Sequence, residues 1–434
     1  MPYKGGTERK MKLQKICKGV RLAGCGAAQF KTAAVSLSLL APLDEKTTVR
    51  ALLPGLLART TKEYPTTLSM NRRLGALYGA SITPSVKKQG EMQVLTLTLT
   101  TLDDRFALEG EDVCTEAIGL LCDCLLQPDV TQEGFRPENV RREKALLRQR
   151  LDSENDDKRL YALRRMTEEM CRDEPYRRNP CGCRDEIDAI TGKDLLDCWM
   201  DLMLHANVLV AYVGSLPEET VAAVLKARFS AVQKQELPEL RTEFLTESYG
   251  SRTVRETQDV QQGKLVIGYR AGMTYEMDNY AAIRLMTAIF GGGTFSKLFC
   301  NVREKMSLCY YCSARLVRHK GLIIVESGVE TANAEQALAA IRRELDEVRA
   351  GNFTDETLAQ AKRALCDSLR SVTDSSFSAL SWLESLGMSE TFRTPQEFAE
   401  LLQSVSREEV ILAANLVTED TVFLLQSGRK EAQA

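Results

Sequence analysis

The stretch FGGGTFSKLFCNVREKMSLCYYCSA, Phe290 to Ala314, packs three consecutive glycines, a charged Val-Arg-Glu-Lys and a tyrosine pair into 25 residues. Glycines beside Ser296 and Lys297 invite a phosphate-loop reading, and the spacing denies it. A P-loop sets Gly-Lys-Ser/Thr at the start of a helix; here the order is Ser-Lys, with no glycine next to the lysine. The dinucleotide fingerprint G-x-G-x-x-G is also missing from Gly291, Gly292 and Gly293 onward. The rest of the chain has to explain the glycines.

A chain of 434 residues exceeds one ordinary core, and two domains of about 200 residues each are expected. Apolar residues make up 44% and charged residues 27%, a globular balance. The formal charge of −3, from 57 basic and 60 acidic residues, gives no bulk attraction to nucleic acid or to anionic membranes. No run approaches the roughly 18 apolar residues of a membrane span. The N-terminal MPYKGGTERKMKLQKICKGVRL is basic but lacks an apolar core, so we expect an exposed tail leading into a first strand, not a secretory signal. Thirteen cysteines, an odd number without a framework, read as reduced, buried thiols of a cytoplasmic protein. Only Cys309 and Cys312 have zinc-knuckle spacing. They fall in an expected strand, where residues three apart face opposite ways. The two histidines, His205 and His319, exclude a histidine-rich metal site. A Cys198–His205 dyad is formally open, against the plainer reading of His205 as a surface or satisfied residue.

The chain reads as two copies of one plan. The first half has an apolar strand near 33–41, an apolar run to Arg59, a helix around 69–78, and VLTLTLTTL, whose leucines alternate with threonines as in a strand with one buried face. Helical runs follow at about 111–126 and along the charged stretch 138–172, then the strand NVLVAYVG and a helix. The second half repeats strand (KLVIGYRA), helix 276–289, the glycines, two paired strands, helices at 332–349 and 354–371, and a closing strand TVFLLQSG. The expected fold is α+β: an N-terminal domain 1–232, a polar linker 233–262 and a C-terminal domain 263–434. Each domain is a mainly antiparallel sheet packed against helices.

In this context Phe290–Ala314 resembles the C-terminal half of the insulinase/pitrilysin-type zinc metallopeptidases, the family of the mitochondrial processing peptidase and its bacterial relatives. That half has a glycine turn, Ser-x-Leu-Phe, Arg-Glu-Lys, and a Leu-x-Tyr entering a strand. The segment Glu174–Gly214 has the layout of the family's domain-closing segment, and the resemblance runs from about Lys12 to Ser427. The family binds zinc through H-x-x-E-H on one helix and a glutamate on a later helix. The similar stretch here is ALLPGLLARTTKEYP, whose TKEYP tail sets the register. The histidine positions then fall on Ala51 and Gly55 and the glutamate on Pro54. RREKALLRQRL puts Arg150 at the third ligand and retains an accompanying Glu143, which by itself reads as a helix-surface carboxylate. Ala, Pro and Gly cannot ligate through their side chains, and an arginine repels a cation.

What the resemblance implies is a non-catalytic subunit with no metal of its own. Zinc would sit only in a homologous partner, and the chain would form a heterodimer with it, or a homodimer when purified alone. In the family the arginine and tyrosine of the C-terminal motif contact the substrate or the developing oxyanion across the chamber from the zinc. They correspond to Arg303 and Tyr310, with Tyr311 as a competitor and Gly291–Gly293 as a shortened counterpart of a substrate-handling loop. From the residues alone, Arg303 pairing with Glu304 and a core Tyr310 stay open. The substrate would be an unfolded peptide held as an added strand. The alternative is a scaffold or peptide-binding protein without a peptidase partner.

Overall fold

The structure is a computed structural model that describes residues 11–239, 241–248, 250–277, 279–389 and 391–428. The tail expected before the first strand, residues 1–10, lies outside them. The first half runs β1 (Lys12–Cys17), β2 (Val20–Gly26), β3 (Thr32–Pro42), α1 (Thr47–Arg59), α2 (Thr67–Ala76), β4 (Ser81–Gln89) and β5 (Met92–Leu102). It continues through α3 (Val113–Leu126), a small β6 (Val130–Thr131) and β7 (Gly134–Phe135) hairpin, α4 (Pro137–Asp156), α5 (Lys158–Met170), α6 (Gly192–His205), β8 (Asn207–Gly214) and α7 (Glu218–Phe229). The second half runs β9 (Arg252–Gln258), β10 (Gly263–Arg270), α8 (Tyr280–Gly291), a π-helical segment Leu298–Lys305, β11 (Cys309–Val317) and β12 (Leu322–Val329). It ends with α9 (Ala334–Arg349), α10 (Asp355–Arg370), α11 (Ser376–Leu386), α12 (Pro395–Ser404), α13 (Arg407–Leu416) and β13 (Thr418–Ser427).

The charged run expected as one helix is two. The Asp157 carboxylate accepts from the backbone N–H groups of Arg159 and Leu160 at 2.9 and 3.1 Å, starting α5 afresh. In the stretch read as a linker, residues 252–258 form an edge strand paired in parallel with β13. No helix among the described residues is long and apolar enough to cross a membrane.

The elements form two compact units. The first takes residues up to Leu151, Asn179–Arg241 and Ser371–Phe392; the second takes Asp152–Arg178, Thr242–Arg370 and Arg393 onward. The first contains a six-stranded sheet ordered β1-β2-β8-β3-β5-β4, the second a five-stranded sheet ordered β11-β12-β10-β13-β9. The closing strands β8 and β13 hold equivalent inner places. Each pairs antiparallel with one neighbour (β3, β10) and parallel with the other (β2, β9). The duplication read from the chain is therefore present for five strands of each sheet, with β1 as an extra edge strand of the first, and each sheet is mixed and mainly antiparallel.

The inner strands of each sheet are buried on both faces. Ala33 to Ala41 of β3 are all buried, and Thr96 of β5, placed by alternation on an open face, is buried as well and hydrogen-bonded to Ser38 at 2.8 Å. α1 and α3 pack on this sheet, and so does α11, which the chain delivers from the second half. Leu209 meets α11 at Gly387, while its neighbours Val208 and Val210 belong to the core shared with α1 and α3. The exchange is mutual. α5, from the first half, packs Ala162, Met166 and Met170 onto Val266, Ile324, Phe423 and Leu425 of the second sheet.

A buried ion network ties the end of α5 to that sheet. Arg270 pairs with Glu174 at 2.8 Å and Asp420 at 2.9 Å, and Lys320 pairs with Glu174 at 2.6 Å. Lys320 also donates to the carbonyl of Glu243 at 2.6 Å. Burial raises the Glu174 carboxyl, but hydrogen bonds from Arg270 and Lys320 outweigh it and hold the group below its ordinary value.

Candidate functional site

The helix that would hold the metal is α1, in the first unit. It forms despite Pro54 in its interior, where proline removes one N–H donor and strains the preceding turn. Its start is fixed from the preceding loop: Arg50 forks onto Asp44 through two bonds of 2.8 Å. Ala51, Pro54 and Gly55 share a face by their i, i+3, i+4 spacing, and Ala51 and Pro54 are buried. The place of the second imidazole is taken. A side chain at position 55 would run into the Glu143 carboxylate, and Arg59, one turn further along α1, is ion-paired with that carboxylate.

Glu143 is therefore not the surface carboxylate its charged run suggested: it is only 8% exposed. Arg150 is exposed and donates to the backbone carbonyl of Val86 at 3.2 Å. This donor set does not fit zinc. The residues at the ligand positions carry no coordinating atom, and the one nearby carboxylate already faces a guanidinium. Arg59 was not singled out by sequence reasoning, although its i+4 spacing from Gly55 was legible.

In the second unit, the π-helical segment carries Arg303 and the start of β11 carries Tyr310. Both line one shallow cleft of about 450 Å³, together with Glu330 and Asn333. Arg303 lies over the Phe299 ring at 4.7 Å and pairs loosely with Glu304 at 3.4 Å. A bulge in β11 decides between the two tyrosines. Cys309 stands opposite Val329 and Tyr311 opposite Gly328, leaving Tyr310 without a partner. The extra residue turns Tyr310 outward, 61% exposed. Its hydroxyl donates to Glu330 at 3.2 Å. Tyr311 packs beneath Arg159 and Lys264, 4.9 and 5.8 Å from its ring centre, and burial pushes its phenol up to about 12.

The glycines lie behind this strand. At Gly291 a Cβ would stand 2.5 Å from the backbone nitrogen of Ala314, so glycine lets α8 lie directly against β11. Gly292 closes α8 through its N–H to the Ala288 carbonyl at 2.9 Å, and Gly293 follows, half-buried.

The bulge also corrects the reading of the cysteines. Cys309 and Cys312 are both buried, because the extra residue between them restores a common side. Cys183 and Cys300 depart from the expectation too, being exposed. The Cys198–His205 dyad does not form an activated pair. Burial pushes the Cys198 thiol up to about 11, and the His205 Nδ1 engages the carbonyl of Glu236 at 3.0 Å. His319 lies against Tyr275 at 5.8 Å. Burial, then the charge of Arg318, pushes it down to about 3.

Residues 189–365 match the family description "Peptidase M16 inactive domain". A Bacillus subtilis protein described as a probable inactive metalloprotease is 30% identical over 399 residues, covering 92% of this chain and 93% of its own length. Among solved structures, a conserved protein from Enterococcus faecalis superposes with a TM-score of 0.88 at 25% identity, covering 97% of this chain and 99% of its own. An M16 inactive domain from Pseudomonas fluorescens gives 0.79 at 17% identity, covering 98% of this chain and 100% of its own, a likeness of fold.

Proposed function

The chain belongs to the peptidase M16 (insulinase) family as an inactive metalloprotease homologue, and from that premise we propose that it serves as the non-catalytic subunit of a heterodimeric zinc peptidase. A homologous partner supplies the metal. This chain helps enclose the peptide and offers Arg303 and Tyr310 to the reacting carbonyl in trans. The observation that carries the reading is the asymmetry between the two motifs. The ligand helix has lost every donor and filled the space with the Arg59–Glu143 pair, while Arg303 and Tyr310 still line one open cleft.

The chemistry of that cleft suits a developing oxyanion. The guanidinium is a fixed cation, and the phenol is a neutral donor on a rigid ring. The Tyr310 hydroxyl would leave Glu330 to meet a substrate oxygen, a small exchange at an exposed position. Peptide addition at the edge strand β4 would meet Pro84, which offers no N–H.

The test is kinetic, on the complex reconstituted with a zinc-bearing homologue. Removing one preorganised oxyanion donor lowers kcat by about 10²–10³, so Tyr310→Phe or Arg303→Ala should reduce the partner's kcat at least about tenfold with assembly intact. Tyr311→Phe keeps the packed ring and should be close to neutral. Full activity in both Tyr310→Phe and Arg303→Ala would leave the chain a scaffold.

A further inference from the structure

The two thiols beside the cleft have a chemistry that the reading above does not use. Cys309 and Cys312 bracket the bulge on β11, the edge strand of the second sheet. In a regular strand their side chains would diverge; with Tyr310 looped out, both turn inward. Cys312 stands opposite Ser327 of β12, two residues from the Val329 that faces Cys309, so the two buried thiols are neighbours on one side of the strand. Cys309 lines the cleft that holds Arg303. Interaction with the neighbouring Cys312 thiol, helped by Ser327 and the Arg303 charge, outweighs burial and lowers Cys309 toward its thiolate, while Cys312 is pushed up as the protonated partner.

We propose that Cys309 and Cys312 form a redox-active dithiol that closes reversibly to an intrastrand disulfide in exchange with low-molecular-weight disulfides of the glutathione class. The Cys309 thiolate attacks one sulfur of the small disulfide, and one glutathione leaves as its thiolate. Cys312 then gives up its proton and attacks the Cys309 sulfur of the mixed disulfide, releasing the second glutathione. Two protein thiols become one disulfide, and one small disulfide becomes two thiols. The bulged register places the resolving thiol on the same side as the first, and an edge strand with a bulge can bend to bring the two into bonding distance. Closure clamps the two residues between the cysteines, Tyr310 among them, and removes the negative charge of Cys309 next to Arg303. The chemistry needs no peptidase partner, so its test is separate from that of the proposed function.

The full-length chain, reduced and then equilibrated with equimolar reduced and oxidised glutathione, is quenched by alkylation and digested with trypsin. Met306–Arg315 is one tryptic peptide containing both cysteines. Most of it should appear lighter by two hydrogens, unalkylated and free of glutathione, and revert on treatment with excess dithiothreitol. Exposed Cys300 serves as the internal control and should carry glutathione or alkyl label. In Cys312→Ser the light form should vanish and Cys309 should hold glutathione. Arg303→Gln should slow closure several-fold without preventing it. A wild-type peptide that keeps two alkylatable thiols, or carries glutathione at equilibrium, overturns the proposal.

Discussion

Gly55→Ala should destabilise the wild-type chain and stabilise a Glu143→Ala chain, a reversal of sign set by a single carboxylate. In the wild type the new methyl meets the Glu143 carboxylate beside α1. That carboxylate ends a flexible side chain, but it is not free to swing. It is ion-paired with Arg59, and the side chains of the pair are only 13% and 10% exposed. The Arg59 Nε is buried without a hydrogen-bond partner, so displacing Glu143 leaves a poorly solvated cation. Overpacking of this kind costs about 1–3 kcal/mol, and helix propensity returns about 1 kcal/mol when alanine replaces glycine. The net expectation is a loss of about 1–2 kcal/mol. Glu143→Ala by itself should cost about 3 kcal/mol, the lower end for stripping a partner from a buried ion. In that background the obstacle is gone, and Gly55→Ala should gain up to about 1 kcal/mol. The coupling energy is then about 2–3 kcal/mol. Urea unfolding followed by tryptophan fluorescence measures it in the right place, because the chain's two tryptophans, Trp199 and Trp382, both lie in the first unit. Equal effects of Gly55→Ala in the two backgrounds, within about 0.5 kcal/mol, would refute the claim that Glu143 occupies the lost ligand's place.

Three further outcomes are expected. Glu174→Gln should cost about 3–5 kcal/mol, since it leaves Arg270 and Lys320 buried with too little negative charge. Loss of hydrogen-exchange protection in β10 and β13 would register it where fluorescence would not. Because Glu174 is held below its unfolded value of 4.5, its contribution is complete above that pH and is lost as pH falls through the depressed folded value. Glu174→Gln should therefore flatten the acid limb of the stability curve; an unchanged limb contradicts the network. His319, held down to about 3, should stay neutral at pH 5 in imidazole NMR spectra, and a midpoint near 6.5 would show the packing against Tyr275 to be wrong. Elemental analysis of the untagged chain should find well under one zinc per chain, and a full equivalent surviving cysteine alkylation would overturn the reading of Ala51, Pro54, Gly55 and Arg150.

The sequence by itself determined what depends on nearest neighbours along the chain. Alternation in VLTLTLTTL, the apolar strands NVLVAYVG and TVFLLQSG, and the helical runs are local periodicities; they located the central strands and most helices and exposed the duplication, but not the more polar β4 and β9. The loss of metal ligands was equally legible, because a side chain without a donor atom cannot gain one by folding. Tertiary structure decided everything that rests on which surface meets which. An amphipathic pattern states that α5 and α11 each bury a face, but not that each buries it against the sheet of the other half. That exchange is why Thr96 is buried against its own alternation. Glu143 looked solvated because its neighbours in sequence are charged, and it is buried because Arg59 of another helix reaches it. The one-residue bulge in β11 left no trace in the pattern. Its cause is the register against β12, and from that register follow an outward Tyr310, a packed Tyr311, and Cys309 and Cys312 turned to the same side.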